Sequence, residues 1–475
     1  MIKKIFQHKI LFFLSFIWIY SCKAPSIISR EENKTVPSAY ANSKDTVNVA
    51  TINWRKYFTD PYLISIIDTA LKNNQELNIA LQEIEVGKNE IMARKGEYLP
   101  FVNFGAAAGP ERAGKYTFNG QSEEALKGTT EKGHQYIGDF MVGVNASWEL
   151  DIWKKLRNAK KSAVMKYLSS IEGRNFMVTN IIAEISRSYY ELMALDNLLA
   201  IIQQNIEIQN SALQLEQLEK DAAKVTQLAV NRFDAQLLNT KNLQYEIQQR
   251  IIETENKINF LAGRFPQHIP RNATELNSIP VDMARNGIPS QLLANRPDIR
   301  QAEMDLESAK LDVQVARANF YPSFRLTAGL GLNAYNPIYI LKPESILYSL
   351  AGDMIAPLIN KNAIKATYFN ANLKQISSVY NYERSILNAH IEVVNQLSMI
   401  DNYAKSYETK AKEVDILTQS IGISNDLFRY ARADYIEVLL TQREALESKI
   451  ELIEIKLKQL QAKVNIYKAL GGGWN

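Results

Sequence analysis

The residue best placed to do chemistry is a lone thiol. Cys22 is the only cysteine among 475 residues, so the chain offers it no disulfide partner. Lys3, Lys4 and Lys9 precede an apolar run from Ile10 to Tyr20. A run that short cannot cross a bilayer and reads as the core of a secretory signal. Ile19, Ser21 and Cys22 supply the aliphatic, small and cysteine positions of a lipoprotein cleavage box. Residues 1–21 are therefore expected to be removed, and acyl chains to be carried by Cys22. Anchoring of that kind takes more than one buried chain. Residues 22–60 follow as a tether, polar early on and punctuated by Pro25 and Pro37.

Little else looks chemical. His8, His134, His268 and His390 are far apart, and no HxxxH or CxxC spacing, phosphate-cradling glycine loop or nucleophile motif occurs. No enzyme activity, metal site or cofactor is expected. The formal charge is +4. The three signal lysines carry most of it and there is no polybasic block, so no nucleic-acid partner is expected. The ten methionines form no ladder; a copper or silver cargo stays open without support.

The elements around these residues come in two copies. Ala70–Ala80 aligns with Leu292–Ala302, and the same offset lays Glu85 on Glu307, Lys88 on Lys310, Lys95 on Arg317 and Pro100 on Pro322. Further on the offset shortens: Ala146 meets Ala356, Leu228 meets Val438, Ala235 meets Ala445. A longer loop between Gly109 and Gly138 in the first copy explains the change. The expected division is a first repeat over 61–265, a linking segment over 266–290, a second repeat over 291–470 and a tail over 471–475. Each repeat reads helix, two strands, two long helices.

The helical stretches lack proline from 111 to 265 and from 358 onward. Apolar residues recur every three or four, as in Leu446, Ile450, Ile453, Leu457, Leu460 and Val464. That is a heptad seam, and it implies helices supercoiled on neighbours. A helix of roughly 60 residues is about 90 Å long, a length suited to crossing a periplasm. Between the helices the period is two. Phe140, Val142, Val144, Ala146, Trp148 and Leu150 alternate with small or polar residues, as do Phe324, Leu326, Ala328, Leu330 and Leu332. Strands are expected at about 100–109, 138–150, 323–333 and 345–357. Such alternation suits a membrane barrel, and a membrane admits only helices or closed barrels. Four strands cannot close one, so several copies must contribute; the pattern does not fix how many.

The motifs at the joints resemble a known family. Asn295-Arg296-Pro297-Asp298-Ile299-Arg300-Gln301-Ala302-Glu303 is similar to the NRPDIRxAE signature of TolC/OprM-type outer-membrane factors. Tyr98-Leu99-Pro100 and Phe320-Tyr321-Pro322 enter strands as in that family. Trp148-Glu149-Leu150-Asp151 and the ending Tyr467-Lys468-Ala469-Leu470-Gly471-Gly472-Gly473-Trp474 match it too. Structurally, Pro100 and Pro322 each mark where a helix gives way to a strand. Asn295, Pro297 and Asp298 read as a helix start, with Asn295 the cap. The glycine run ends the last helix.

The resemblance implies a mainly α protomer with a membrane β-barrel: long coiled-coil helices form an α-barrel, and four strands per chain make a twelve-stranded trimeric barrel. It implies a homotrimer that meets outer-membrane lipid, a periplasmic adaptor protein and an inner-membrane pump of the RND type. The role implied is a passive exit duct for small molecules, drugs or metal ions. A protein-secretion duct and a non-porous coiled-coil lipoprotein are the alternatives. In that architecture the helix–helix turns at 219–226 and 428–436 close the periplasmic mouth. Lys220, Asp221, Lys224, Arg429, Arg432, Asp434 and Glu437 are its aperture residues, or else solvated turn residues. Where the family often has glycine, this chain has Ala431.

Overall fold

Proline ahead of period-two segments, and long proline-free heptads after them, set where this chain extends and where it coils. The computed structural model describes residues 24–40, 49–111, 114, 116–117, 137–280, 287–430 and 432–474. Cys22, the signal lysines, His8, His134 and Ala431 lie outside the described residues, as does most of the long loop between the first two strands.

Four strands form one antiparallel sheet in chain order: β1 (Phe101–Glu111), β2 (Ile137–Leu150), β3 (Ser323–Ala334) and β4 (Ile346–Ile355). The register aligns the alternation. Phe104, Val144, Leu330 and Tyr348 stand in one row, and Asn103, Asn145, Gly329 and Ser349 in the next. One face is thus apolar, and the other mostly small or polar, with Phe101, Met141 and Leu347 among the exceptions. Neither face is covered: Phe104 is 74% exposed on one and Phe101 65% on the other.

The helices are α1 (Trp54–Tyr57), α2 (Pro61–Asn73), α3 (Gln75–Glu97), α4 (Lys155–Asp221), α5 (Gln227–Leu261), α6 (Gln291–Asn295), α7 (Pro297–Ala318), α8 (Asn362–Arg429) and α9 (Tyr435–Ala469). The first repeat's α4 has 67 residues and the second's α8 has 68, while α5 and α9 have 35 each. Asp151 starts α4: its carboxylate accepts the backbone N–H groups of Leu156 and Arg157, both at 2.9 Å, satisfying donors a helix start leaves open. No helix among the described residues is long and apolar enough to cross a membrane.

The chain forms two compact units, and neither coincides with a repeat. One contains the residues up to Glu31, Glu85–Leu168 and Met304–Tyr380; the other contains Glu32–Ile84, Ser169–Glu303 and the chain from Asn381. The expected division at 265 and 291 follows the duplication. Long helices running through both units and equivalent elements gathering from both copies make the packing follow a different partition.

The unit with the sheet has a small core of Ala316, Phe320 and Tyr368, joined by Ala24 and Ile27. In the other unit, Trp54, Leu63 and Ile67 pack with Ile185, Tyr189, Leu192, Leu460 and Tyr467.

Candidate channel wall and helix turns

Within the helical unit the joint of each repeat is built from one motif used twice. At the end of α5 the N–H of Gly263 donates to Phe260 O and that of Arg264 to Asn259 O, both at 3.0 Å. At the end of α9 Gly471 donates to Lys468 O at 2.9 Å and Gly472 to Tyr467 O at 3.0 Å. This paired closure is the Schellman motif, which needs a left-handed residue. Gly263 has φ +65° and Gly471 φ +92°. Packing adds a second demand for glycine. A Cβ on Gly263 would stand 2.3 Å from the Asn73 carbonyl oxygen, and one on Gly471 would stand 2.6 Å from that of Asn295.

A polar side chain completes each joint. Asn74 donates from Nδ2 to Leu261 O at 2.9 Å, and its Oδ1 accepts the N–H of Leu77. At the equivalent place Arg296 donates from one guanidinium nitrogen to Ala469 O at 2.9 Å and to Glu392 at 2.7 Å. Its other nitrogens grip Asp298 at 2.9 and 2.7 Å. Arg296 is 5% exposed. Burial works against its charge, but the hydrogen bond and charge of Asp298 and the charge of Glu392 hold the guanidinium above its usual range. Trp474 locks the tail by donating to Asn295 O at 3.1 Å.

One expectation is corrected here. Asn295 does not cap the helix that follows; it is the last residue of α6, and Arg296 separates it from Pro297 at the first position of α7. Arg296 precedes a proline, which holds it in extended backbone (φ −85°, ψ 117°), so the short helix stops at Asn295, and from there the Arg296 side chain reaches Ala469 O. Pro297 and Asp298 do open α7, where an acid suits the positive helix end.

Pro100 and Pro322 sit between helix and strand, after α3 and α7 and just before β1 and β3. Trp148 lies in β2 and donates to Tyr98 O at 3.1 Å. Trp153, in the turn beyond β2, donates to Pro322 O at 2.7 Å and stacks on Tyr321 at 4.7 Å.

The turns at the other ends of the long helices are exposed. Between α4 and α5 the N–H of Ala223 donates to Lys220 O at 2.8 Å and that of Lys224 to Glu219 O at 2.9 Å. It is the same motif, but the left-handed residue is Ala223, with φ +62°. Between α8 and α9 the backbone N–H of Arg432 donates to Leu427 O at 2.8 Å. Lys220, Asp221, Lys224, Arg429, Arg432, Asp434 and Glu437 are all exposed. Among the described residues the ion pair seen in these turns is Arg429 with Asp426 at 4.0 Å, and no bridge links one turn charge to another.

Three groups near these places were not visible in the sequence. Glu216, close to the exposed end of α4, is 2% exposed and one carboxylate oxygen has no partner. Burial, reinforced by the Glu219 charge, pushes its carboxyl up to about 7. Arg271 ties the linking segment down through Asp196 and Glu255, each at 2.5 Å. Lys456 donates to Ile279 O at 2.8 Å. None belongs to a short motif, so only the packing picks them out.

The sequence profile of a family described as outer membrane efflux protein matches residues 66–264 and 288–472. Both stretches end one residue beyond a left-handed glycine. The chain is 27% identical over 444 residues to the solvent efflux pump outer membrane protein SrpC of Pseudomonas putida, covering 92% of this chain and 91% of that one. It is 25% identical over 445 residues to the probable outer membrane lipoprotein SilC of Salmonella typhimurium, covering 92% and 93%. The solved structure of the outer-membrane channel OprN superposes with a TM-score of 0.84 at 22% identity, over 95% of this chain and 99% of that chain. With its profile matched along both repeats, the chain belongs to the outer membrane efflux protein family, a family of outer-membrane channels and not of enzymes.

Proposed function

We propose that three copies of this chain make a passive exit duct for small molecules, with twelve strands closing one barrel and the long helices forming a second barrel in the periplasm. The observation that carries this reading is the sheet. Its outer strands β1 and β4 pair with nothing among the described residues along their outer edges, and both its faces are exposed. In a bilayer every backbone N–H and C=O must be paired, so such edges need partner strands. The helices repeat the message: Leu238, Tyr245 and Ile252 on α5 are exposed every seventh residue, and so are Leu373, Tyr380 and Leu387 on α8. Exposed stripes at heptad spacing suit packing by neighbouring copies.

The duct works with a periplasmic adaptor and an inner-membrane pump of the RND type, which supplies the energy. A small-molecule cargo is favoured over protein by the naming of SrpC for solvents. Cys22 carries the acyl anchor. The charges of the exposed turns ring the periplasmic mouth and pair between copies in the closed state.

The test is native mass spectrometry together with conductance in a planar bilayer, both on the full chain purified from outer membranes. Three copies per particle and a conducting pore are expected; a non-conducting monomer would sink the reading and leave a structural lipoprotein.

A further inference from the structure

Between β4 and α8 the chain runs out onto the surface, with Ile359 91% and Leu358 49% exposed. Beside them lies a groove of about 480 Å³. Part of its lining is apolar, from Pro25, Phe320 and Leu358. The rest comes from the chain entering α8, where Asn360, Lys361, Asn362 and Lys365 add polar side chains. A lining that mixes apolar side chains with polar ones at a helix start suits a ligand that carries both hydrocarbon and carbonyl oxygens.

The chain itself points to the occupant. Pro25 lines the groove, and Ala24 and Ile27 pack against Ala316, Phe320 and Tyr368. Arg30 holds the same segment to α8, its guanidinium 4.0 Å from the Tyr380 ring and donating to the Tyr380 hydroxyl at 3.0 Å. Cys22 precedes Ala24 by two residues, and two residues of chain span at most about 7 Å. A group attached to that sulfur is therefore within reach of the groove that Pro25 lines.

We infer that this groove seats the thioether-linked diacylglycerol of acylated Cys22. The ester carbonyls accept from Asn360, Asn362 and Lys365, and the first methylenes lie over Phe320, Leu358 and Ile359. The anchor is then docked on the protein before it enters the bilayer. This inference rests on the lipidation of Cys22 proposed above.

The test uses the full chain from cells fed a fatty acid bearing a diazirine, irradiated in outer-membrane vesicles, with intact-mass analysis and peptide mapping. The expected result is an acylated Cys22 crosslinked to Phe320 or to residues 358–365 of its own chain. Leu358→Asp should lower that crosslink several-fold with acylation unchanged, and the wild-type map decides the matter even if the variant fails to assemble. Acylated Cys22 whose label falls elsewhere would overturn the inference alone. So would label in the groove that comes from free phospholipid while the Cys22 chains map to bulk lipid. An unmodified Cys22 would remove the lipidation reading, and this inference with it.

Discussion

The same helix-ending motif closes α5 and α9 at the packed joints and α4 at an exposed turn, yet the left-handed position is glycine at the joints and alanine at the turn. At Gly263 and Gly471 a Cβ would run into a carbonyl oxygen of a neighbouring helix end. Ala223 is exposed at φ +62° and has only backbone strain to bear, on the order of 1–2 kcal/mol. Packing therefore dictates glycine at the joints, while conformation merely prefers it at the turn.

The largest effect is expected where the joint buries charge. Arg296→Ala leaves Asp298, Glu392 and the Ala469 carbonyl without their donor and should cost about 3–5 kcal/mol, read as a fall in the thermal midpoint of the purified channel. Asn74→Ala removes the neutral counterpart and should cost about 1–2 kcal/mol; equal losses would break the contrast between the two joints.

Gly263→Ala should cost about 2–4 kcal/mol through strain and collision together. Ala223→Gly should do the opposite and stabilise by about 0.5–1 kcal/mol, the relief of strain offset in part by the extra freedom glycine loses on folding. A destabilising Ala223→Gly would mean that the turn is packed after all.

Glu216 sharpens the view of the exposed end. Its carboxyl, raised to about 7 in the fold, lies above its value in the unfolded chain. The folded state thus binds the proton more tightly, and its stabilising contribution is full in acid and lost as pH rises towards 7. Thermal midpoints of the wild type should rise between pH 7.5 and 5 relative to Glu216→Gln, and parallel profiles would refute this.

The smallest effect belongs to the turn charges. Arg429→Ser with Arg432→Ser should change stability by about 0–1 kcal/mol per bridge but raise the conductance of the closed channel. Unchanged conductance would leave these charges as solvated turn residues.

Much of this was legible in the sequence, because its signals are periodic and local. Alternation over Phe140–Leu150 gives a half-apolar strand wherever that strand ends up, and Pro100 and Pro322 restrict the backbone before them. Heptads without proline give long helices for the same reason, and duplication shows in matched residues. The sequence determined the elements, their order, their exposed faces and the family motifs at the joints.

Only the tertiary structure decided what those motifs do. Asn295 reads as a cap, but it ends a short helix of its own and its carbonyl accepts from Trp474. Glu216 looks like any helix glutamate until burial raises its carboxyl. Gly471 stops a helix in either reading; that it and Gly263 cannot be anything else depends on Asn295 and Asn73, carbonyls far away along the chain. Propensity and period act over a few residues, whereas burial, collision and charge pairing depend on what a distant segment brings alongside.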